Sequence, residues 1–262
     1  MLALIDHLPP GARVLDLGAR TGSFATARTD LCIVRLDLEI PPSRQAGWYV
    51  SGDAACMPFA AGSFDVVVSN HSLEHFVELE ATVREIGRVV KPGGALYAAV
   101  PDATTFTDKV YRWLGRGGGH VNAFRTATEV SSLIEQKTHL PLRSTTLLYS
   151  SLSFLNSHNF TAKPPRKIAL FAFGNERFLT LLLHVLRKLD IWLGSRLSVY
   201  GWSFYFGNTA GNSDEAWMNV CVRCGSGSSL EYIQVSGAPR KSWIVSEYRC
   251  PACGASNLLI ER

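Results

Sequence analysis

The residues Arg13-Val-Leu-Asp-Leu-Gly-Ala-Arg-Thr-Gly-Ser-Phe24 constrain this chain more than any other stretch. Val14, Leu15 and Leu17 form a short apolar run of the kind a strand needs when a parallel sheet buries both its faces. Gly18 and Gly22 then bracket a tight loop, and Ser23-Phe-Ala-Thr-Ala can open a helix. Strand, glycine loop and helix in that order bring backbone N–H groups and a helix N-terminus to one point, which suits a nucleotide-like ligand.

Further runs follow in a fixed order. Asp37 closes the apolar run Cys32-Ile-Val-Arg-Leu-Asp, about 20 residues along, where a carboxylate reaches ribose hydroxyls. Gly52-Asp53-Ala54 follows a third run, and Phe64-Asp-Val-Val-Val-Ser-Asn-His-Ser-Leu-Glu-His75 supplies a fourth. Gly87-Arg-Val-Val-Lys-Pro-Gly-Gly94 then leads into a fifth, Ala95 to Val100. The dinucleotide fingerprint G-x-G-x-x-G is not present; the spacing is Asp16-x-Gly18-x-x-x-Gly22, and a glycine-rich turn alone is a weak signal.

Taken together, in sequence, order and spacing, these five pieces resemble the class I S-adenosylmethionine (SAM) dependent methyltransferases, in particular the small-molecule group often called type 11. The resemblance covers roughly Leu4 to Asn208. It implies an α/β, Rossmann-like, doubly wound seven-stranded sheet, mostly parallel with an antiparallel last strand. The family reads Asp-x-Gly-x-Gly-x-Gly, and here Arg20 stands at the middle glycine. By resemblance, Asp16 and the loop Gly18, Ala19, Arg20 and Gly22 would contact the methionine part of SAM. Asp37 would take the ribose hydroxyls, with Leu38 beside the adenine. Asp53 would accept from the adenine amino group, and Ala54 would donate its N–H to the ring. Asn70 and His71 would lie near the methyl group. A hydroxyl acceptor needs a general base, for which histidine is the usual side chain; His71 and His120 are the candidates by position. Glu74 and His75 belong to a Leu-Glu-His pattern common in the family, where a structural hydrogen bond to neighbouring backbone is an equal reading.

The chain's 262 residues hold one α/β domain, residues 1–210, plus a small appendage, residues 215–262. Residues 101–125 break the regular pattern with Phe106, Tyr111, Trp113 and Gly117-Gly-Gly-His120. They follow the fifth strand and so read as a substrate lid with glycine hinges, or else as an inert excursion. Thr126-x-x-Glu129 marks a capping box, and Leu142–Tyr149 and Trp202–Phe206 read as the final two strands. Residues 160–198 are the oiliest part, cut by a polar stripe of Arg177, Thr180, His184 and Arg187/Lys188. The stripe interrupts every apolar run short of the ~20 residues of a membrane span. The helix is therefore a core or homodimer-interface element, or a surface touching a bilayer or a lipid-linked substrate at the membrane periphery.

Cys221-Val-Arg-Cys224-Gly and Cys250-Pro-Ala-Cys253-Gly are the second informative feature. Two C-x-x-C knuckles let four thiolates converge on a structural zinc ion with no open position. The 25 residues between Cys224 and Cys250 fit a zinc-ribbon-like module with an elongated hairpin at 230–245. Cys32 and Cys56 read as buried small residues. Met1-Leu-Ala-Leu-Ile-Asp-His carries no signal-peptide pattern, so a cytoplasmic protein with reduced thiols is expected. A net charge of +4 is too mild for a dedicated nucleic-acid binder. The readings are a methyltransferase acting on a small-molecule, saccharide or lipid-linked acceptor, a silent SAM-fold scaffold, or an RNA or protein methyltransferase docking through the ribbon.

Overall fold

The computed structural model describes residues 1–114, 119–159, 175–208, 217–236, 238–241 and 246–260. The predicted hinge glycines Gly117 and Gly118 and the first part of the oily insert lie outside them. The chain divides into two compact units. One comprises Met1–Asp102, Gly119–Thr145 and Trp202–Asp214; the other comprises Ala103–Gly118, Thr146–Gly201 and Glu215–Arg262.

The first unit is built on five strands: β1 (Arg13–Leu17), β2 (Cys32–Asp37), β4 (Phe64–Asn70) and β5 (Val90–Pro101), largely buried, and β3 (Trp48–Ser51), a partly exposed edge strand. Val14, Leu15, Leu17, Val67, Val68 and Leu96 are all inaccessible, as a sheet covered on both faces requires. β1 pairs in parallel with β2 and β4, β2 with β3, and β4 with β5. β6 (Leu142–Tyr149) and β7 (Val199–Gly207) complete the predicted set, β7 lying between β5 and β6. Hydrogen bonds from Gly207 N–H to Pro141 O and from Ser150 N–H to Ser198 O run β7 antiparallel to β6.

The sheet has nine strands in the order β3-β2-β1-β4-β5-β7-β6-β8-β9, not seven. Two short strands, β8 (Trp217–Val220) and β9 (Gly227–Ser228), were not expected. β8 pairs in parallel with Leu147 and Leu148 of β6, and β9 antiparallel with β8.

A second departure concerns the helices. α1 (Leu2–Asp6), α2 (Leu79–Val89) and α4 (Ala127–Thr138) are present, and Thr126 caps α4 by accepting from Glu129 N–H at 3.1 Å. No helix occupies 18–31, 38–47 or 52–63, the connections that leave β1, β2 and β3. The helix expected at Ser23–Ala27 does not form. What organises those connections is Arg35, a charged residue in the middle of β2 that is 1% exposed. Its guanidinium pairs with Asp16, its register partner on β1. It also donates to Phe24 O at 2.9 Å and Ala46 O at 3.1 Å and stacks over the Phe24 ring. A buried cation satisfied from both loops ties down backbone that a helix would otherwise satisfy internally. A Cβ on Gly22 would stand 3.0 Å from Arg35 Nη1, and one on Gly47 3.2 Å from Nε. The same Cβ atoms would stand still closer to Gln45 Cγ (2.6 Å) and to Ile33 O (3.1 Å), so both glycines make room for Arg35 together with its loop neighbours.

In the second unit α3 (Phe106–Leu114) forms within the segment 101–125 where the regular pattern breaks, with Asp108–Arg112 bridged at 2.6 Å and Thr107 donating to Val199 O. α5 (Glu176–Leu193) buries Leu179 and Leu183 and exposes Leu181, Val185, Trp192 and Leu193. No helix among the described residues is long and apolar enough to cross a membrane. α6 (Leu230–Ser236) stands where a hairpin was expected. Ser229 caps it by accepting from Tyr232 N–H, and Ile233 packs with Tyr248 and Leu259. The strands β10 (Arg240–Lys241), β11 (Ser246–Arg249) and β12 (Ser256–Leu259) form a separate three-stranded sheet.

Candidate functional site

Parallel strands deliver their carboxyl ends to one edge of the sheet, and the resemblance-derived residues all stand at or just beyond those ends in the first unit. Gly18 N–H and Ala19 N–H both donate to Leu36 O, at 2.9 and 3.1 Å, so the glycine loop leaves β1 across the end of β2. A Cβ on Gly18 (φ +67°) would meet the Ser72 side chain at 2.5 Å. Only glycine fits there, between the ends of β1 and β4. Arg20 has φ +43°, the left-handed conformation that costs a side-chain-bearing residue roughly 1–2 kcal/mol. It therefore keeps the backbone shape of the glycine it replaces and leaves its side chain exposed. Its N–H donates to Asp37 Oδ2 at 2.7 Å, tying the loop to the tip of β2.

Asp37 is half-buried, and Leu38 beyond it is 70% exposed. Gly52 N–H donates to Asp37 O, bringing the exposed Asp53 to the neighbouring strand end. Asp53 Oδ1 accepts from Ala55 N–H at 2.8 Å, and Ala54 is buried. Asp16 stands apart: its carboxylate is inaccessible and engaged by Arg35 and by Ser23 N–H. It shapes the loop from beneath.

Beyond β4, Asn70 is half-buried and His71 takes φ +55°, with its N–H on Ala99 O. A 3-10 turn, Leu73–His75, follows. His71 Nδ1 lies 3.9 Å from Glu74 Oε1, and the His75 and His120 rings meet edge to face at 4.9 Å. Burial first, then the neighbouring His120 and His75, hold His71 down at about 4. Asn122 Nδ2 donates to Leu73 O and Phe76 O, and Val121 N–H and Asn122 N–H both donate to Glu74 O. The segment 119–122 is thereby pinned to the 3-10 turn, which brings His71 and His120 into one cluster.

In the second unit Cys221 Sγ lies 3.7 Å from Cys253 Sγ and Cys224 Sγ 3.6 Å from Cys250 Sγ, with no disulfide. The two knuckles repeat one backbone pattern. Gly225 N–H donates to Cys221 O and Cys221 N–H to Ser226 O; Gly254 N–H donates to Cys250 O and Cys250 N–H to Ala255 O. Arg223, inside the first knuckle, makes two 2.7 Å bonds to Glu176 of α5. Cys32 and Cys56, expected buried, are half-buried and exposed.

Two residues escaped sequence reasoning. Arg35 was signalled by a lone charge inside an apolar run, opposite another charge, Asp16, at the same depth of the neighbouring run. Asn122 carried no signal, since its partners lie 46 and 49 residues away.

Residues 15–98 match a family described as a methyltransferase domain. The malonyl-[acyl-carrier protein] O-methyltransferase of Methylococcus capsulatus is 31% identical over 194 residues, 64% of this chain and 70% of that protein. The chain belongs to the class I SAM-dependent methyltransferases. The demethylmenaquinone methyltransferase of Renibacterium salmoninarum is 37% identical over 105 residues, and the chain spans 44% of its length. A candidate methyltransferase from Bacillus halodurans C-125 shares the fold with a TM-score of 0.52 at 18% identity, covering 80% of this chain and 98% of that one. The methyltransferase assignment rests on the first unit, where residues 15–98 lie.

Proposed function

We propose that this methyltransferase transfers the methyl group of SAM to an oxygen of a small-molecule acceptor, a saccharide or lipid-linked intermediate being the first class to try. The observation that carries the reading is the convergence of the Gly18–Gly22 loop, Asp37, Asp53 and the His71–His75 turn on one strand-end edge, held together by the Arg20–Asp37 and Asn122 hydrogen bonds.

SAM supplies a methyl already activated on a sulfonium, so the protein's task is to align donor and acceptor and to exclude water. Asp37 would accept from the ribose hydroxyls and Leu38 would pack against the adenine. Asp53 would accept from the adenine amino group, with the Ala54 N–H reaching the ring. Gly18, Ala19, Arg20 and Gly22 would wrap the methionine end. Asn70 and His71 would face the methyl. His71, neutral at physiological pH, is a hydrogen-bond acceptor but a weak base at about 4. It orients an acceptor hydroxyl more effectively than it removes the proton. His120, on the returning segment, is the second candidate for that proton. The named relatives support the small-molecule class, one being a malonyl-[acyl-carrier protein] O-methyltransferase and another a demethylmenaquinone methyltransferase.

The four cysteines would hold a structural zinc ion. A tetrahedral Zn–S bond of about 2.3 Å sets sulfurs about 3.8 Å apart, and the observed 3.6 and 3.7 Å fit that frame. Asn257 Nδ2 and Arg223 N–H both approach Cys221 Sγ, as donors to a thiolate should. Titration calorimetry with SAM tests the central reading. Micromolar binding that Asp37→Ala weakens is expected; no heat from the wild type at high micromolar SAM would defeat it. Labelled-methyl transfer to soluble and lipid-linked acceptors then separates the acceptor classes.

A further inference from the structure

The His71–His75 turn, with His120 beside it, holds a constellation that cofactor binding does not account for and that proton transfer by His120 alone does not explain. Glu74, His75 and His120 each place a donor atom within 4.8 Å of the other two. His71 Nδ1 adds a fourth donor, 3.9 Å from Glu74 Oε1. Two imidazoles and a carboxylate are the donor set that borderline divalent transition metals select.

The surroundings are arranged as those of a metal ligand set. His75 Nδ1 lies 3.0 Å from Gly119 O. A carbonyl only accepts, so Nδ1 carries the proton and Nε2 is the ring's ligating nitrogen. A backbone carbonyl that orients a ligating histidine in this way is a recurrent partner of metal sites. Glu74 is 1% exposed, and its carboxylate is positioned by a turn whose three carbonyls, at Leu73, Glu74 and Phe76, are all bonded from the 121–122 segment. The same clamp sets His120 against His75. The elements that bring the three donors together are therefore braced before any ion arrives.

We infer that Glu74, His75 and His120 bind a divalent transition-metal ion of the zinc–cobalt type, in a site separate from the four cysteines and left open on the side of the exposed His75. Bonds of about 2.0–2.1 Å set donors about 3.3 Å apart in a tetrahedral site, so the ion would draw the three side chains inward. Three protein ligands leave at least one position for an oxygen from outside. On the methyltransferase reading above, that oxygen belongs to the acceptor, and the ion would orient a hydroxyl or carboxylate toward the methyl. Metal binding itself does not depend on that reading.

The test uses the full chain with its cysteine site loaded with zinc, titrated with cobalt(II). Total metal is counted by mass spectrometry, and the weak visible bands of a nitrogen–oxygen site are distinguished from the intense thiolate bands of a cysteine site. The wild type is expected to take one further equivalent. Glu74→Gln, His75→Gln and His120→Gln should each weaken it by at least the tenfold that loss of even an outer partner costs. SAM calorimetry on the same proteins reports whether the fold survives. Should Glu74→Gln fail to fold, the exposed His75→Gln carries the test. No second equivalent in the wild type, or variants that bind cobalt as tightly as the wild type, would overturn the inference. Either result leaves SAM binding, measured separately, to judge the methyltransferase reading.

Discussion

The four-cysteine site and the strand-end site are built on opposite plans. Each cysteine knuckle is complete within six residues: two thiols, a glycine and a pair of backbone hydrogen bonds that recur around Cys221 and around Cys250. The strand-end site has no such local unit. Gly18 is fitted against Ser72, Arg20 is bonded to Asp37, and Glu74 is held by residues 121 and 122. A site made of local motifs concentrates its stability in one ion and should fail as a whole. A site made of long-range contacts should fail piecemeal, each loss proportionate to one interaction.

On the zinc reading proposed above, removal of the ion should produce the largest effect. Structural zinc binding is worth about 10–16 kcal/mol in small zinc domains. Chelation, or Cys250→Ser, should open the region around 217–260 to proteolysis and hydrogen exchange while β1–β5 stay protected. Equal protection of both regions after chelation would break the comparison. Next in size is Arg35→Ala, which strands Asp16 as an unpaired buried charge; such a loss costs about 3–5 kcal/mol, measurable by urea denaturation. Asp37→Ala should cost less, about 1.5–3 kcal/mol of SAM affinity, the value of hydrogen bonds to a charged group; calorimetry checks it. Glu176→Gln, which weakens the partly exposed Arg223 pair, should cost no more than about 1 kcal/mol.

The smallest expected effect is one of pH. Burial would raise the Asp190 carboxyl, but donation from Ser195, from both the side chain and N–H of Ser198, and from Leu197 N–H outweighs it and holds the group below its usual 3.8. The ionised form is thus favoured in the folded chain. Its contribution is present above about pH 3.8 and disappears as pH falls through the lowered value. Melting curves of wild type and Asp190→Asn should converge in acid and separate toward neutrality.

Much of this was legible in the residues. The five strands, their parallel order and the four cysteines follow from apolar runs and C-x-x-C spacing, because both are short-range signals. Leu142–Tyr149 and the Thr126 cap were legible for the same reason. The absent helix after β1 was not, since a buried arginine, itself satisfied from two loops, took over its work. α6 was overlooked because a long gap between knuckles favours a hairpin until Ser229 and Ile233 are seen to cap and bury a helix of about two turns. Strands β8 and β9 are too short to register as periodic patterns at all. His71 and His120 were selected by position, while the turn that joins them to Glu74 and His75 depends on Asn122, whose partners no local pattern reveals.

Gly47 carries a practical lesson about reading tolerance as contact. A Cβ there, at φ +134°, would press on Ile33 O at 3.1 Å and Arg35 Nε at 3.2 Å, so its replacement should strain the loop and disturb the guanidinium that pairs with Asp16. A saturation screen scored on methyl transfer would rank Gly47 beside Gly18, and a reader of that ranking would draw the cofactor's footprint one loop too wide.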